Sequence, residues 1–338
     1  MSGFVQSAIG PVPVVAETSS TSDRFGTFLT RLGINRNRYL VAPGLYAVGQ
    51  PDSDAPVIVS ANYKLSFDIV RFALSGRDAW LLVLDTCGIN VWCAAGKGTF
   101  STKELVQRLR LSGLEQVISH RRVIVPQLGA TGVDAREVKK QSGFSVRYGP
   151  VRADDLPRYL DHDCTGDEAM RMVSFSLRER AVLIPVEFYL LGKVFFLLIP
   201  FLFIISGIGP DIWSFERAYH RGLLMFAALI AGLAGGLILV PLLLPWLPGR
   251  AFAFKGLISG AGCGALLLVL LAYPVSTLQQ IALFLGAVVV SSYLGMNFTG
   301  ASPFTSPSGV EWEMKRAIPL QVLTAIVVIV LWITAPLV

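Results

Sequence analysis

The two halves of this chain carry different hydrophobic patterns. In the first, short apolar runs alternate with segments of helical spacing. Residues 56–60 (PVIVS), 80–84 (WLLVL), 122–126 (RVIVP) and 144–148 (FSVRY) are runs of strand length and strand composition. Between them, 65–74 (LSFDIVRFAL) places apolar side chains on one helical face, 101–111 (STKELVQRLRL) opens with Ser101 and Glu104 at capping-box spacing, and 134–141 (DAREVKKQ) reads as a polar helix. Strands that do not alternate in polarity, separated by helices, predict a parallel sheet covered on both faces, hence an α/β doubly wound, Rossmann-like domain. In the second half, five apolar stretches at about 183–206, 222–247, 256–273, 278–297 and 317–337 are long enough to cross a bilayer. The expected organisation is an N-terminal extension (1–54), the α/β domain (55–165), a linker (166–182) and an all-α transmembrane domain of five helices (183–338).

Composition sharpens this division. Charged residues are only 15% of the 338 positions, against nearer a quarter in soluble chains. Residues 183–338 hold just 7 of the 29 Lys and Arg and 5 of the 23 Asp and Glu. The net charge of +6 is spread rather than clustered, which argues against nucleic acid as a partner and suits a membrane protein facing anionic lipid. Arg171, Arg178 and Arg180, then Arg250 and Lys255, then Lys315 and Arg316 fall on one side if the spans alternate. The positive-inside rule then puts the α/β domain in the cytoplasm of a multi-pass protein of the inner membrane, with Arg217 and Arg221 a weaker vote the other way. Glu187 and Lys193 lie near one end of the first span, and the other four cores carry no charge, so a membrane anchor is favoured over a transporter. Gly232, Gly235 and Gly236, and Gly260, Gly262 and Gly264, read as close helix packing. The segment 297–309 (NFTGASPFTSPSG) is an uncharged, hydroxyl-rich loop.

Parallel sheets bind ligands beyond the carboxyl ends of their strands, which directs attention to residues 60–65, 86–98, 127–133 and 149–150. The second of these is the most informative. Its Gly96-Lys97 is followed by Gly98, and position 91 is Val, so it fails as a Walker A loop; a G-x-G-x-x-G fingerprint is also missing. Asn90 is a good N-cap for a short helix from Val91 to Lys97. Cys93 then takes the third helical position, where backbone amides and the dipole favour anions. Ala94, Ala95 and Gly96 are small enough for a flat group to lie close, with Trp92 closing one side. Two readings stay open on these residues alone: an inert buried cysteine, or an axial ligand to a flat metallocofactor. Ser60, Asn62 and Ser66 are candidates for contacts to such a cofactor, as are Gln127, Gly129 and Gly149, with turn chemistry as their alternative. Lys97 either meets a cofactor amide or phosphate or ends the helix. Cys87, Cys164, His120 and His162 show no convergent ligand spacing.

The octamer Asn90-Val91-Trp92-Cys93-Ala94-Ala95-Gly96-Lys97 resembles the signature of the corrinoid protein of microbial mercury methylation, the HgcA family. Residues 56–159, including Ser60–Leu65 and Tyr148–Pro150, resemble the corrinoid-binding domain of the corrinoid iron–sulfur protein, and the five-span tail resembles the mercury-methylation branch. The resemblance implies a cobalamin-type corrinoid, methylated as methyl donor, with Cys93 the lower axial cobalt ligand. It implies methyl transfer to Hg(II). As partners it implies a ferredoxin-like protein with two [4Fe–4S] clusters and a methyl donor such as methyltetrahydrofolate acting through a methyltransferase. Competing functions are a membrane-anchored methyl carrier of one-carbon metabolism and a transporter with a soluble α/β domain.

Overall fold

The computed structural model describes residues 2–338 except 272–273, 303 and 305–306, together with all side chains in that set but those of residues 193, 301 and 307. The end of the third expected span, part of the 297–309 loop and the Lys193 side chain therefore lie outside the described residues. The chain divides into two units, residues 1–30 with 34–173, and residues 31–33 with 174–338.

In the first unit, seven strands form one sheet: β1 (Gly3–Ser7), β2 (Gly10–Val14), β3 (Gly44–Val48), β4 (Val57–Ala61), β5 (Ala79–Leu84), β6 (Arg122–Val125) and β7 (Ser145–Tyr148). Their order is β1-β2-β3-β5-β4-β6-β7. The four expected strands are the parallel part, paired β5-β4-β6-β7. β3 joins antiparallel to β5, with Leu45 opposite Leu82, and the β1–β2 hairpin continues the sheet beyond it. Three strands thus come from the segment expected to be an extension. The prolines at 11 and 13 obscure β2, because proline cannot donate to a ladder and demotes a run read from sequence alone.

Side-chain alternation along the buried strands builds two cores. Val57, Val59, Trp80, Leu82 and Val125 face one side, where the helix α4 (Thr102–Leu111) packs Leu105 and Leu109. Ile58, Leu81, Val83 and Ile124 face the other, against Phe67 and Leu74. Burial on both faces explains why the strands lack polar alternation.

The helix α1 (Thr21–Arg31) is tied to α2 (Lys64–Ala73) by a cluster of charges. Arg71 donates to Asp68 (2.7 Å), to Asp23 (2.8 Å) and to the Ala16 carbonyl, while Lys64 bridges Asp23 (2.8 Å) and Asp68 (2.6 Å). Asp68 and Arg71 are buried. A desolvated charge stays ionised only when paired and hydrogen-bonded, and this network supplies both.

The second unit is helical. Among the described residues four helices are long and apolar enough to cross a membrane, and five if the bent pair Leu177–Gly192 and Val194–Ser206, which meet at 61°, counts as one span. These features are those of a multi-pass membrane protein. The helices start earlier than their apolar stretches. Phe215–Leu233 takes in Arg221, Phe252–Leu270 takes in Lys255, and Pro307–Thr334 takes in Glu313, Lys315 and Arg316. Arg221, Lys255 and Glu313 lie before the expected uncharged cores but inside helices rather than loops, and they are buried. Each finds partners at or near a helix end, although Arg221 Nε is left without one among the described residues. Arg221 donates to the carbonyls of Ser206 (3.0 Å), Ile208 (2.9 Å) and Trp332; Lys255 donates to Leu244 O (3.0 Å); Glu313 accepts from Ala253 N–H (2.5 Å). Terminal carbonyls and amides lack intrahelical partners, so these side chains meet a real demand. The glycines mostly do what their spacing suggests. A Cβ on Gly236 would lie 2.7 Å from Leu294 Cβ, and one on Gly260 2.6 Å from Ser291 Cβ; Gly262 is the exception, with open space around it. A π-helical turn at Ala234–Leu239 takes in Gly235 and Gly236 of the first cluster.

The Asp23 side chain provides a test of the charge cluster. Burial works against its ionised form, but bonds from Lys64, Ser20 and Arg71 prevail and hold its carboxyl well below the usual carboxylate range. A depressed native pKa stabilises the fold above the unfolded-state value near 4, and that stabilisation shrinks as the pH falls below it. Thermal unfolding of the detergent-solubilised chain should show Asp23→Asn less stable than wild type at pH 6, with a smaller gap at pH 3. An equal gap at both would remove Asp23 as the titrating group.

Candidate functional site

The strand order reverses at β4: the chain goes from β4 to β5 on one side, then returns to β6 on the other. Such a reversal leaves a crevice at the carboxyl ends of the strands. A cleft of about 270 Å³ is found there. Ser60 at the end of β4, Ser66 in the first turn of α2, and Asn90, Val91 and Trp92 line it, with Gly149 just beyond β7. Its walls are otherwise apolar, from Ile69, Val70, Ile124, Leu128, Pro150 and Leu156 among others. Ser60 is 1% exposed, and its hydroxyl has no hydrogen-bond partner among the described residues. An orphaned hydroxyl beside a cleft marks a place where a ligand would supply the missing bond.

The helix α3 (Val91–Lys97) forms as expected. Asn90 Oδ1 accepts the Cys93 amide (2.9 Å), and Gly98, at φ 78°, closes the helix in a left-handed conformation natural to glycine. Cys93 is exposed, and Trp92 is 38% exposed. The inert buried cysteine is therefore not what the fold presents. Gly96 and Lys97 are also exposed, and Gly96 has nothing near its α-carbon that a side chain would strike.

Five expected contact residues, Asn62, Ala94, Ala95, Gln127 and Gly129, do not line the cleft. Ala94 and Ala95 turn inward to the core. Their small size is needed beneath the helix, where a Cβ added to Gly132 would lie 3.3 Å from the Ala95 Cβ and would collide with the Phe100 carbonyl. Gly129 is likewise covered, since a Cβ there would lie 2.5 Å from the Phe100 ring. Asn62, 2% exposed, is consumed by the chain itself. Its Oδ1 accepts from the Thr86 and Gly88 amides (3.0 Å each) and lies 2.9 Å from the Thr86 hydroxyl, and its Nδ2 donates to Asp85 (3.1 Å). The Thr86 hydroxyl also reaches Ile89 O (2.7 Å), the residue before the Asn90 cap. Asn62 thus shapes the loop that delivers α3, including Cys87 and Gly88, both left-handed at φ 56° and 70°. Gln127, in the 3-10 turn Gln127–Gly129, is partly exposed and does not line the cleft. The apolar wall from Ile69, Val70 and Leu156 was not anticipated; the helical spacing of 65–74 was its available signal.

Among the described residues no group of three or more His, Cys, Asp or Glu could hold a metal ion.

Residues 35–159 match the family described as CdhD, the CO dehydrogenase/acetyl-CoA synthase delta subunit. The chain is 30% identical over 125 residues to the acetyl-CoA decarbonylase/synthase complex subunit gamma of Methanopyrus kandleri, covering 36% of this chain and 27% of the relative. It is 35% identical over 127 residues to the corresponding subunit of Methanocaldococcus jannaschii, covering 37% and 26%. The chain therefore spans about a quarter of the length of these relatives. The matched segment runs from before β3 to beyond β7 and contains every residue lining the cleft. The apolar helices lie outside it.

Replacing Asn62 with Ala leaves two buried amides unsatisfied and should cost about 2–4 kcal/mol. Hydrogen exchange should report it first as faster exchange in residues 85–98. Unchanged exchange there would show that the loop holds its shape without the carboxamide.

Proposed function

We propose that the first unit is a corrinoid-binding, methyl-transferring domain, and that the chain passes a methyl group from a methylated corrinoid to Hg(II), with the Cys93 thiolate as lower axial ligand to cobalt. The observation that carries this reading is the exposed Cys93 on a capped helix beside a strand-end cleft, inside the segment similar to acetyl-CoA decarbonylase/synthase subunits. The octamer 90–97 and its resemblance to the mercury-methylation proteins supply the narrower assignment.

The residues present fit such a group. Cys93 offers a soft sulfur donor, which binds a metal as the thiolate. Asn90 fixes the turn on which it stands, and Trp92 extends the apolar wall of the cleft. Ser60 offers a hydroxyl with an unmet bond, suited to an amide side chain of a macrocycle. A cleft of 270 Å³ is below the range that encloses even a drug-sized ligand, so it receives part of a larger group while the rest stays open to partners. The bound corrinoid supplies the methyl group. Cys93 would hold the group through its sulfur, and a thiolate there would add electron density to the bound metal, which would suit methyl transfer to an electrophile such as Hg(II).

The relatives are subunits of a complex, so protein partners are part of the reading. We assign a ferredoxin-like protein with two [4Fe–4S] clusters as electron donor and methyltetrahydrofolate, through a methyltransferase, as methyl source. The helical unit holds the domain at the cytoplasmic face of the inner membrane. The similarity to acetyl-CoA decarbonylase/synthase subunits favours one second reading, a membrane-anchored methyl carrier of one-carbon metabolism.

Cys93→Ala tests the ligand. The side chain is exposed, so stability should change by no more than about 0.5 kcal/mol. The visible spectrum of the cobalamin-loaded chain should lose its thiolate-ligated band, and methylmercury formation should drop at least about a hundredfold. Retained activity in a folded variant would end the assignment, and transfer to a nucleophilic acceptor in preference to Hg(II)-thiolate would favour the second reading. Ser60→Ala tests the cleft separately. It should leave apo stability unchanged or higher and weaken corrinoid retention about five- to tenfold, the value of one hydrogen bond.

A further inference from the structure

The helix α1 lies outside the segment shared with the relatives and outside the cleft. Its inward face is settled. Asp23 is held by Lys64 and Arg71, Thr30 is buried, and Gly26 sits so close to Tyr39 that a Cβ would lie 2.5 Å from its hydroxyl oxygen. These three fall on one side at helical spacing. The opposite arc holds Arg24, Phe25, Phe28 and Arg31, all exposed. Phe25 is 64% exposed and Phe28 58%. The buried ion-pair cluster prevents the helix from rolling to hide them. The same end of the sequence continues with Arg36 and Arg38 in a short 3-10 turn. Among the described residues none of these four guanidinium groups has a carboxylate partner.

We propose that α1 is an interfacial helix, whose occupant is the anionic surface of the bilayer that the helical unit spans. Two aromatic rings flanked by arginines on one arc, opposite a fixed polar face, match a helix lying in the headgroup plane: the rings enter the acyl boundary and the guanidinium groups meet lipid phosphates. The positive arc complements an anionic leaflet, which attracts each such cation. The tether makes the encounter local. The first unit ends at residue 173, and helix resumes at Leu177 on the way into the first apolar segment. A domain so linked samples the membrane surface at high effective concentration. The inference does not depend on the mercury or corrinoid assignment, because α1 contributes nothing to the cleft.

Photo-crosslinking tests it on the full chain. With p-benzoylphenylalanine in place of Phe28, the protein is reconstituted in nanodiscs of phosphatidylglycerol or of phosphatidylcholine, irradiated and analysed by mass spectrometry. The expected result is a lipid adduct in phosphatidylglycerol discs, falling several-fold in phosphatidylcholine discs or at high salt. The pair Arg24→Gln and Arg31→Gln, on the same background, should lower it roughly tenfold or more. Adducts to peptides of the same chain would mean that protein covers the face, and dimer-sized adducts that a second copy does. Either result, or lipid adducts equal in both disc types, overturns the proposal. Cobalamin retention by the labelled chain, measured in parallel, should not change, so failure here is separable from failure of the cofactor assignment.

Discussion

The site depends on one buried carboxamide. Asn62 stands where β4 ends, and its side chain is surrounded by backbone of the loop after β5. A polar group at this depth is tolerated only when its bonds are made, and the loop makes them. The exchange fixes both partners. The amide loses its demand for solvent, and residues 85–89 take a shape that includes two consecutive left-handed residues. From there the chain has one direction in which to start a helix, and Asn90 starts it. The position of Cys93 is thereby set from the end of a different strand, a long way back in sequence.

This arrangement separates holding from contacting. The residues that shape the loop are satisfied within the protein and have little left to offer a ligand. Those left for a ligand, the buried Ser60 and the exposed Trp92 and Cys93, are few and chemically distinct: an unpaired hydroxyl, an apolar plate and a soft sulfur. A site built this way meets a large partner with a rigid frame and a small number of specific groups, which limits the ordering cost of binding.

Much of this was legible in the sequence, for identifiable reasons. The four parallel strands were visible because burial on both faces leaves uninterrupted apolar runs, and α3 because an Asn cap and a following Gly bracket it. The role of Asn62 was not legible. A polar residue at a strand end is equally consistent with contact to a ligand or to its own loop, and only the backbone of residues 85–89 decides. Ala94, Ala95 and Gly129 misled in the same way, since small side chains serve a close approach from inside as well as from outside. The strands β1–β3 escaped because two prolines interrupt β2 and because β3 pairs antiparallel with β5, outside the strand–helix–strand alternation that marked the other four. In the helical unit, hydropathy located the spans but not their first turns, because a helix continues through charged residues that find terminal carbonyls or amides to bond.

Arg221 shows what such bonding asks of synthesis. Its guanidinium group joins the Ser206 carbonyl, 15 residues behind it, to the Trp332 carbonyl, 111 residues ahead. The indole of Trp332 adds a bond to the Ser206 hydroxyl (2.8 Å) and lies 4.7 Å from the cation. As the polypeptide emerges, this cation enters apolar surroundings with half of its clasp still untranslated. The contacts around this cation are therefore complete only once the last helix is in place.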